Sequence, residues 1–166
     1  MQQFDKNPLS SFQNFFLNIK TYSHKNTIFM KTLTVQPIGI LHCDITSREV
    51  APKNWDISSQ PGTIEIFPEF RAALEGINKG DTIVVLFWLH KAERNILRVF
   101  PRGDKNRPKR GVFSTRSPVR PNPIAISELQ VVDIRDNLLM VSGLDILDGT
   151  PVIDIKSKMI PNAGNK

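Results

Sequence analysis

Three consecutive pieces decide the fold class: IAISELQVVDI (Ile124–Ile134), RDN (Arg135–Asn137) and LLMVSGL (Leu138–Leu144). Both arms alternate apolar with polar residues, the period of a strand with one buried face. So short a polar link lets the arms fold back on each other, which predicts an antiparallel hairpin turning at Arg135-Asp136-Asn137.

Moving upstream, TIVVLFWLH (Thr82–His90) is the most apolar run of the chain. It is rich in β-branched and aromatic residues, so it reads as a central strand buried on both faces. An Asn78–Asp81 turn precedes it and His90-Lys91 ends it, at the rim of the core where sites form. A histidine capping the sheet is the plainer account of His90. Other strands are expected at Leu33–Leu41, at Thr63–Ile66 behind a Pro61-Gly62 turn, at Ile96–Phe100 and at Val152–Ile155. Pro68–Glu75 reads as a short helix, with Pro68 and Glu69 suited to its first turn and Gly76 to its end. Several short strands without βαβ alternation make the fold class mostly β: a small antiparallel barrel or sandwich with one or two short helices. Neither GxGxxG after a strand nor GxxxxGK[ST] occurs.

A chain of 166 residues with 40% hydrophobic and 23% charged residues builds one core without disulfides. The reading divides it into an N-terminal extension (1–31), a barrel domain (32–157) and a C-terminal tail (158–166). In the extension, Phe12, Phe15, Phe16 and Ile19 fall at helical spacing behind Ser10 or Ser11, which predicts a short amphipathic helix. Met30 offers a second candidate start. No apolar run approaches the roughly 18 residues of a membrane span, and Phe15-Phe16-Leu17 is too short for a signal-peptide core. Cys43 stands alone, and His24, His42 and His90 lack a ligand spacing, so neither disulfide nor metal is expected. A reducing, cytoplasmic setting fits.

The basic character is local. Between Arg98 and Arg120 eight cations face Asp104 alone, a net +7; with +6 on the whole chain, the remainder sums to −1. A focused positive patch attracts polyanions, nucleic acid first, although a solvated face shows the same pattern. Within it RGVFSTRSPVRPN (Arg110–Asn122) is stiffened by Pro118 and Pro121, with Pro123 next. Prolines fix φ, and arginines on a rigid loop suit planar anions bound in a bidentate way.

Gly111–Pro118 with Arg120–Ile124, followed by Asp145–Lys156 (DILDGTPVIDIK), resembles the TsaA-like β-barrel family, and Phe67–Phe70 and Leu86–Lys91 match it too. The resemblance spans about Val35 to Lys156 and implies a barrel, usually a homodimer, that uses S-adenosylmethionine to methylate threonylcarbamoyl-adenosine at position 37 of tRNA, in the anticodon loop. It places the cofactor near Pro52, Lys53, Asn54, His90, Lys91, Arg116, Ile126, Leu147, Asp148, Gly149 and Thr150. Asp145 or Asp148 would accept hydrogen bonds from the cofactor's amine or ribose. His90 or Asp148 is the candidate proton acceptor, and Lys109, Arg110, Arg116 and Arg120 are the candidate RNA contacts. The chain departs from the family pattern at Pro52-Lys53-Asn54, at Ala125 and at Ser157-Lys158, and the extra C-terminal domain of longer bacterial members is expected to be missing. Two other functions remain open at this level: methylation of a small anionic metabolite, and RNA binding without catalysis.

Overall fold

The computed structural model describes residues 16–18 and 32–159. They belong to two compact units, residues 1–36 and 37–166. In the first, β1 (Phe16–Asn18) pairs antiparallel with β2 (Thr32–Thr34). Phe16–Asn18 is therefore strand, where a helix was expected; the rest of that expected helix, with Ser10 and Ser11, lies outside the described residues. Pairing satisfies the strand's backbone groups, whereas an isolated short helix must bear its own nucleation cost. The continuous strand expected over Leu33–Leu41 is likewise interrupted. Pro37 stands between β2 and β3 (Gly39–His42), and a residue without an amide donor cannot extend a ladder on both sides.

The second unit continues with β4 (Pro61–Ile66), β5 (Thr82–Trp88), β6 (Arg98–Val99), β7 (Arg110–Gly111), β8 (Ile124–Arg135), β9 (Leu138–Ser142) and β10 (Pro151–Ser157). Six of these strands close a barrel in the order β10-β3-β4-β9-β8-β5, every pairing antiparallel. The β8–β9 hairpin turns at Asp136-Asn137, with Arg135 opposite Leu138. Asp136 takes φ 57°, a left-handed value that aspartate tolerates better than most residues. The barrel closes where Val152 meets Gly39. A Cβ at Gly39 would lie 2.4 Å from the Glu65 carbonyl oxygen, so the close approach of β3 to β4 beside this seam demands glycine. Register shifts on β8, between Val131 and Asp133, and on β10, between Val152 and Asp154, supply curvature.

One face of each barrel strand fills the interior: Leu41, Ile64 and Ile66, then Ile83, Val85 and Phe87, then Leu129, Val131, Leu139, Val141 and Val152, all essentially inaccessible. Burying these side chains, at about 1.5–3 kcal/mol each, is the main force that holds the barrel closed. Strand β5 alternates in burial, with Val84 and Leu86 half-buried, so it is not covered on both faces as its composition suggested. Pro61 and Gly62 open β4 and pair with Ser142 and Val141, so they are strand and not turn. Ile96–Phe100 contributes only Arg98 and Val99, which pair with Arg110 and Gly111 in a separate two-stranded ribbon. Pro68–Leu74 is a 3-10 helix, with Phe70 N–H donating to the Phe67 carbonyl; it buries Leu74 against the core.

Candidate functional site

A cleft of about 480 Å³ opens on the outer side of the barrel, beside the start of β8. Its floor follows from the outward-facing positions at the start of that strand, which are apolar. Leu129 and Val131 point inward, and so does Ser127, which is 1% exposed. Ile124 and Ile126 belong to the opposite face and remain open, Ile126 at 51% exposure. An apolar pair left open on the outer face of a barrel strand gives the cleft its hydrophobic surface.

Three loops build the walls. The first carries Pro52, Lys53 and Asn54; the second, after β5, carries His90 and Lys91; the third, between β9 and β10, carries Asp145, Leu147 and Thr150. Arg116 and Arg120 come from the proline-arginine loop, and Arg102 reaches the rim from the basic segment before it. Among the described residues, Asp145 is the one acid of the lining, against Arg48, Lys53, Lys91, Arg102, Arg116 and Arg120. Arg102 holds φ 57°, ahead of Gly103 at φ 74°. A left-handed arginine at a cleft is the kind of local strain that accompanies binding sites.

Asp145 is the most constrained charge here. Its Oδ1 accepts the Ser127 hydroxyl at 2.8 Å. Burial raises its pKa above the ordinary aspartate value; the Ser127 hydroxyl, the Arg116 guanidinium and the Trp55 amide partly oppose that rise. Arg116 Nη2 donates to the Ile126 carbonyl at 3.1 Å, and its guanidinium lies 5.8 Å from the centre of the Trp55 ring. These contacts leave most of the guanidinium's donors open, on a side chain already oriented toward the cleft. His90 is half-buried, and burial, followed by the charge of Lys91, lowers its pKa; the imidazole is neutral at pH 7. Nδ1 of His90 and Nε1 of Trp55 are buried without a hydrogen-bond partner among the described residues. Such groups are costly unless something fills the space beside them.

The structure brings together Pro52, Lys53, Asn54, His90, Lys91, Arg116, Ile126, Leu147 and Thr150 on one lining. Asp148 and Gly149 are not on it. The Asp148 carboxylate accepts the Cys43 amide at 3.0 Å, and its own amide donates to the Ile45 carbonyl. Asp148 thus ties two loops together, away from the cleft lining. Gly149 supplies the turn, at φ 71°, that separates it from Thr150. Of the cations expected to meet RNA, Arg120 is half-buried and donates to the Val112 and Thr115 carbonyls at 3.0 and 3.2 Å, a brace for its own loop. Lys109 and Arg110 are exposed and lie off the cleft. Sequence reasoning assigned no role to Ser127, Trp55 or Arg102. Ser127 had a signal, a hydroxyl at an inward-facing position of an alternating strand; Arg102 was legible only as charge, because only the course of its loop brings it to the cleft.

Among the described residues no helix is long and apolar enough to cross a membrane. The family model described as the tRNA-methyltransferase O N-terminal domain matches residues 40–161. A "Probable S-adenosyl-L-methionine-binding protein" of Methanothermobacter thermautotrophicus is 47% identical over 124 residues, covering 75% of this chain and 88% of that protein. The S-adenosyl-L-methionine-binding protein of Archaeoglobus fulgidus is 41% identical, with the same coverage. The crystal structure of TrmO from Pseudomonas aeruginosa superposes with a TM-score of 0.63 at 31% identity, covering 81% of this chain. This chain spans 62% of that one's length.

Proposed function

The chain belongs to the tRNA-methyltransferase O N-terminal domain family, and from that premise we propose that its cleft binds S-adenosylmethionine and serves methyl transfer to tRNA. The specific acceptor we propose is the exocyclic nitrogen of threonylcarbamoyl-adenosine at position 37, in the anticodon loop. The observation that carries the proposal is that Asp145 and Arg116 line one cleft beside the open face of Ile126. A zwitterionic amino acid joined to an apolar aromatic base needs an acid, a guanidinium and a greasy surface close together, and the cleft holds all three. Its volume is in the range of small-molecule sites.

Arg116 suits the carboxylate of the cofactor, since its guanidinium offers paired donors. Asp145 suits the ammonium or ribose hydroxyls, and as the one acid of the lining it also suits a neighbouring sulfonium. Ile126 and Leu147 would lie against the adenine. When bound, S-adenosylmethionine supplies an electrophilic methyl group. The chain's part is then to orient the acceptor, worth several powers of ten in rate, and to take up its proton. His90 is suited to the second task because it is neutral at pH 7. The remaining cleft cations, Arg102 and Lys91 foremost, exceed what a cationic cofactor needs and favour an acceptor that is itself anionic. Assembly as a homodimer belongs to the same proposal, to be checked by light scattering.

The test combines calorimetry with S-adenosylmethionine and transfer of labelled methyl to tRNA carrying threonylcarbamoyl-adenosine. We expect saturable heat and label in the nucleoside fraction. Binding without transfer to any cellular tRNA would overturn the assigned acceptor, and no heat at all would overturn the cofactor assignment.

A further inference from the structure

The β6–β7 ribbon and the turn after it are not part of the cleft, and core packing does not explain them. The turn Val112–Ser114 buries Val112 and turns Phe113 outward at 82% exposure. The display is rigid. Val112 N–H donates to the Leu97 carbonyl, Thr115 N–H and Oγ1 both donate to the Val112 carbonyl, Ser114 Oγ donates to the Gly111 carbonyl, and Arg120 donates to the Val112 and Thr115 carbonyls. The backbone that presents the ring is thus fixed in advance, while the ring itself gains no burial.

Its surroundings are cationic. Arg98 Nη2 donates to the Lys109 carbonyl at 3.2 Å, which fixes the two strands of the ribbon to each other. The Lys109 ammonium lies 5.1 Å from the Phe100 ring, and Arg110 precedes the Phe113 turn on β7. Asp104, the one acid between Arg98 and Arg120, is paired with Arg107 at 3.2 Å, so nothing in the segment cancels the other cations. The segment also leads into the cleft from both ends of the ribbon, through Arg102 on one side and Arg116 on the other. A stacking ring among cations is how single-stranded nucleic acid is held without reading its sequence.

We propose that this ribbon is a clamp for single-stranded RNA, with Phe113 the platform on which a base next to the acceptor stacks and Lys109 and Arg110 the contacts to its phosphates. It rests on the reading that the cleft acts on RNA, and adds to it the surface that holds the strand. The partner is a loop, not a duplex, because a paired base offers no free face to Phe113.

The full chain is titrated into a fluorescent RNA hairpin and into a fully paired duplex of the same stem, without cofactor, with anisotropy as the readout. Wild type should prefer the hairpin. Phe113→Ala should weaken hairpin binding about tenfold with an unchanged salt dependence, whereas Phe113→Tyr should stay near wild type. The double variant Lys109→Gln/Arg110→Gln should flatten the slope of log affinity against log salt by about 1.4. The exposure of Phe113 makes an unchanged melting temperature the expected control. Equal binding of hairpin and duplex, or Phe113→Ala within about twofold of wild type, would overturn the clamp, given the stacking contributions such rings make. So would Phe113-dependent binding to phosphatidylserine vesicles without binding to the hairpin. Heat of S-adenosylmethionine binding, which Phe113→Ala should leave alone, reports on the cleft separately; its loss in wild type would refute the cofactor reading, while the hairpin titration would still decide the ribbon.

Discussion

Replacing Asp145 by asparagine probes the cleft at its most informative atom. The exchange keeps the shape and an acceptor for the Ser127 hydroxyl, now 2.8 Å from the carboxylate, but removes the negative charge. If Asp145 holds the cationic part of the cofactor, the loss is that of a charge-assisted hydrogen bond, about 1.5–3 kcal/mol. This corresponds to roughly a 10- to 150-fold rise in Kd for S-adenosylmethionine, measurable by calorimetry. Folding should move the other way with pH. The folded-state pKa of Asp145 lies above its unfolded value, because burial outweighs its favourable contacts. The unfolded chain therefore gives up this proton first, and wild-type stability falls as pH rises from the unfolded value through the folded one. The variant lacks this loss, so its melting temperature should gain on wild type across that window and hold the gain at pH 7. An unchanged Kd in a folded variant would refute Asp145 as the cofactor's anchor; a variant less stable than wild type at pH 7 would refute burial as the dominant influence on the carboxyl.

His90 should give the opposite pH signature: its folded pKa is lowered, so stability should fall as pH drops below about 6.5. Melting curves of His90→Gln should be flatter over that window, and a slope equal to wild type would assign the effect elsewhere. Arg120→Ala removes donors to two carbonyls of its own loop and should cost about 1–3 kcal/mol in urea unfolding, with faster proteolysis near Thr115. Full stability would show that the loop needs no brace. Gly39→Ala sets a methyl against the Glu65 carbonyl where β3 packs on β4, and a destabilisation of about 1–3 kcal/mol or more is expected in the same assay. A neutral result would mean that β3 and β4 separate there easily.

Local periodicity determined a good deal of this protein. The alternating arms around Asp136-Asn137, the apolar run of β5 and the order of the motifs were legible because side-chain direction repeats every two residues along any strand. That rule carries no information on which strand closes against which. Val152 meets Gly39 across more than a hundred residues, and that choice follows from the shared interior, where Leu41, Phe87 and Leu129 must all be buried at once. The same limit explains the site. Asp145 and Asp148 are three residues apart in an irregular loop, so spacing could not say which carboxylate meets the cleft; the Ser127 hydroxyl holds the first there and the Cys43 amide takes the second away. Arg102 and Arg116 were legible as charge, and only the course of their loops decided that they share a wall. Residue types are written in the sequence, but a site is a set of distances between segments, and those are settled when the barrel closes.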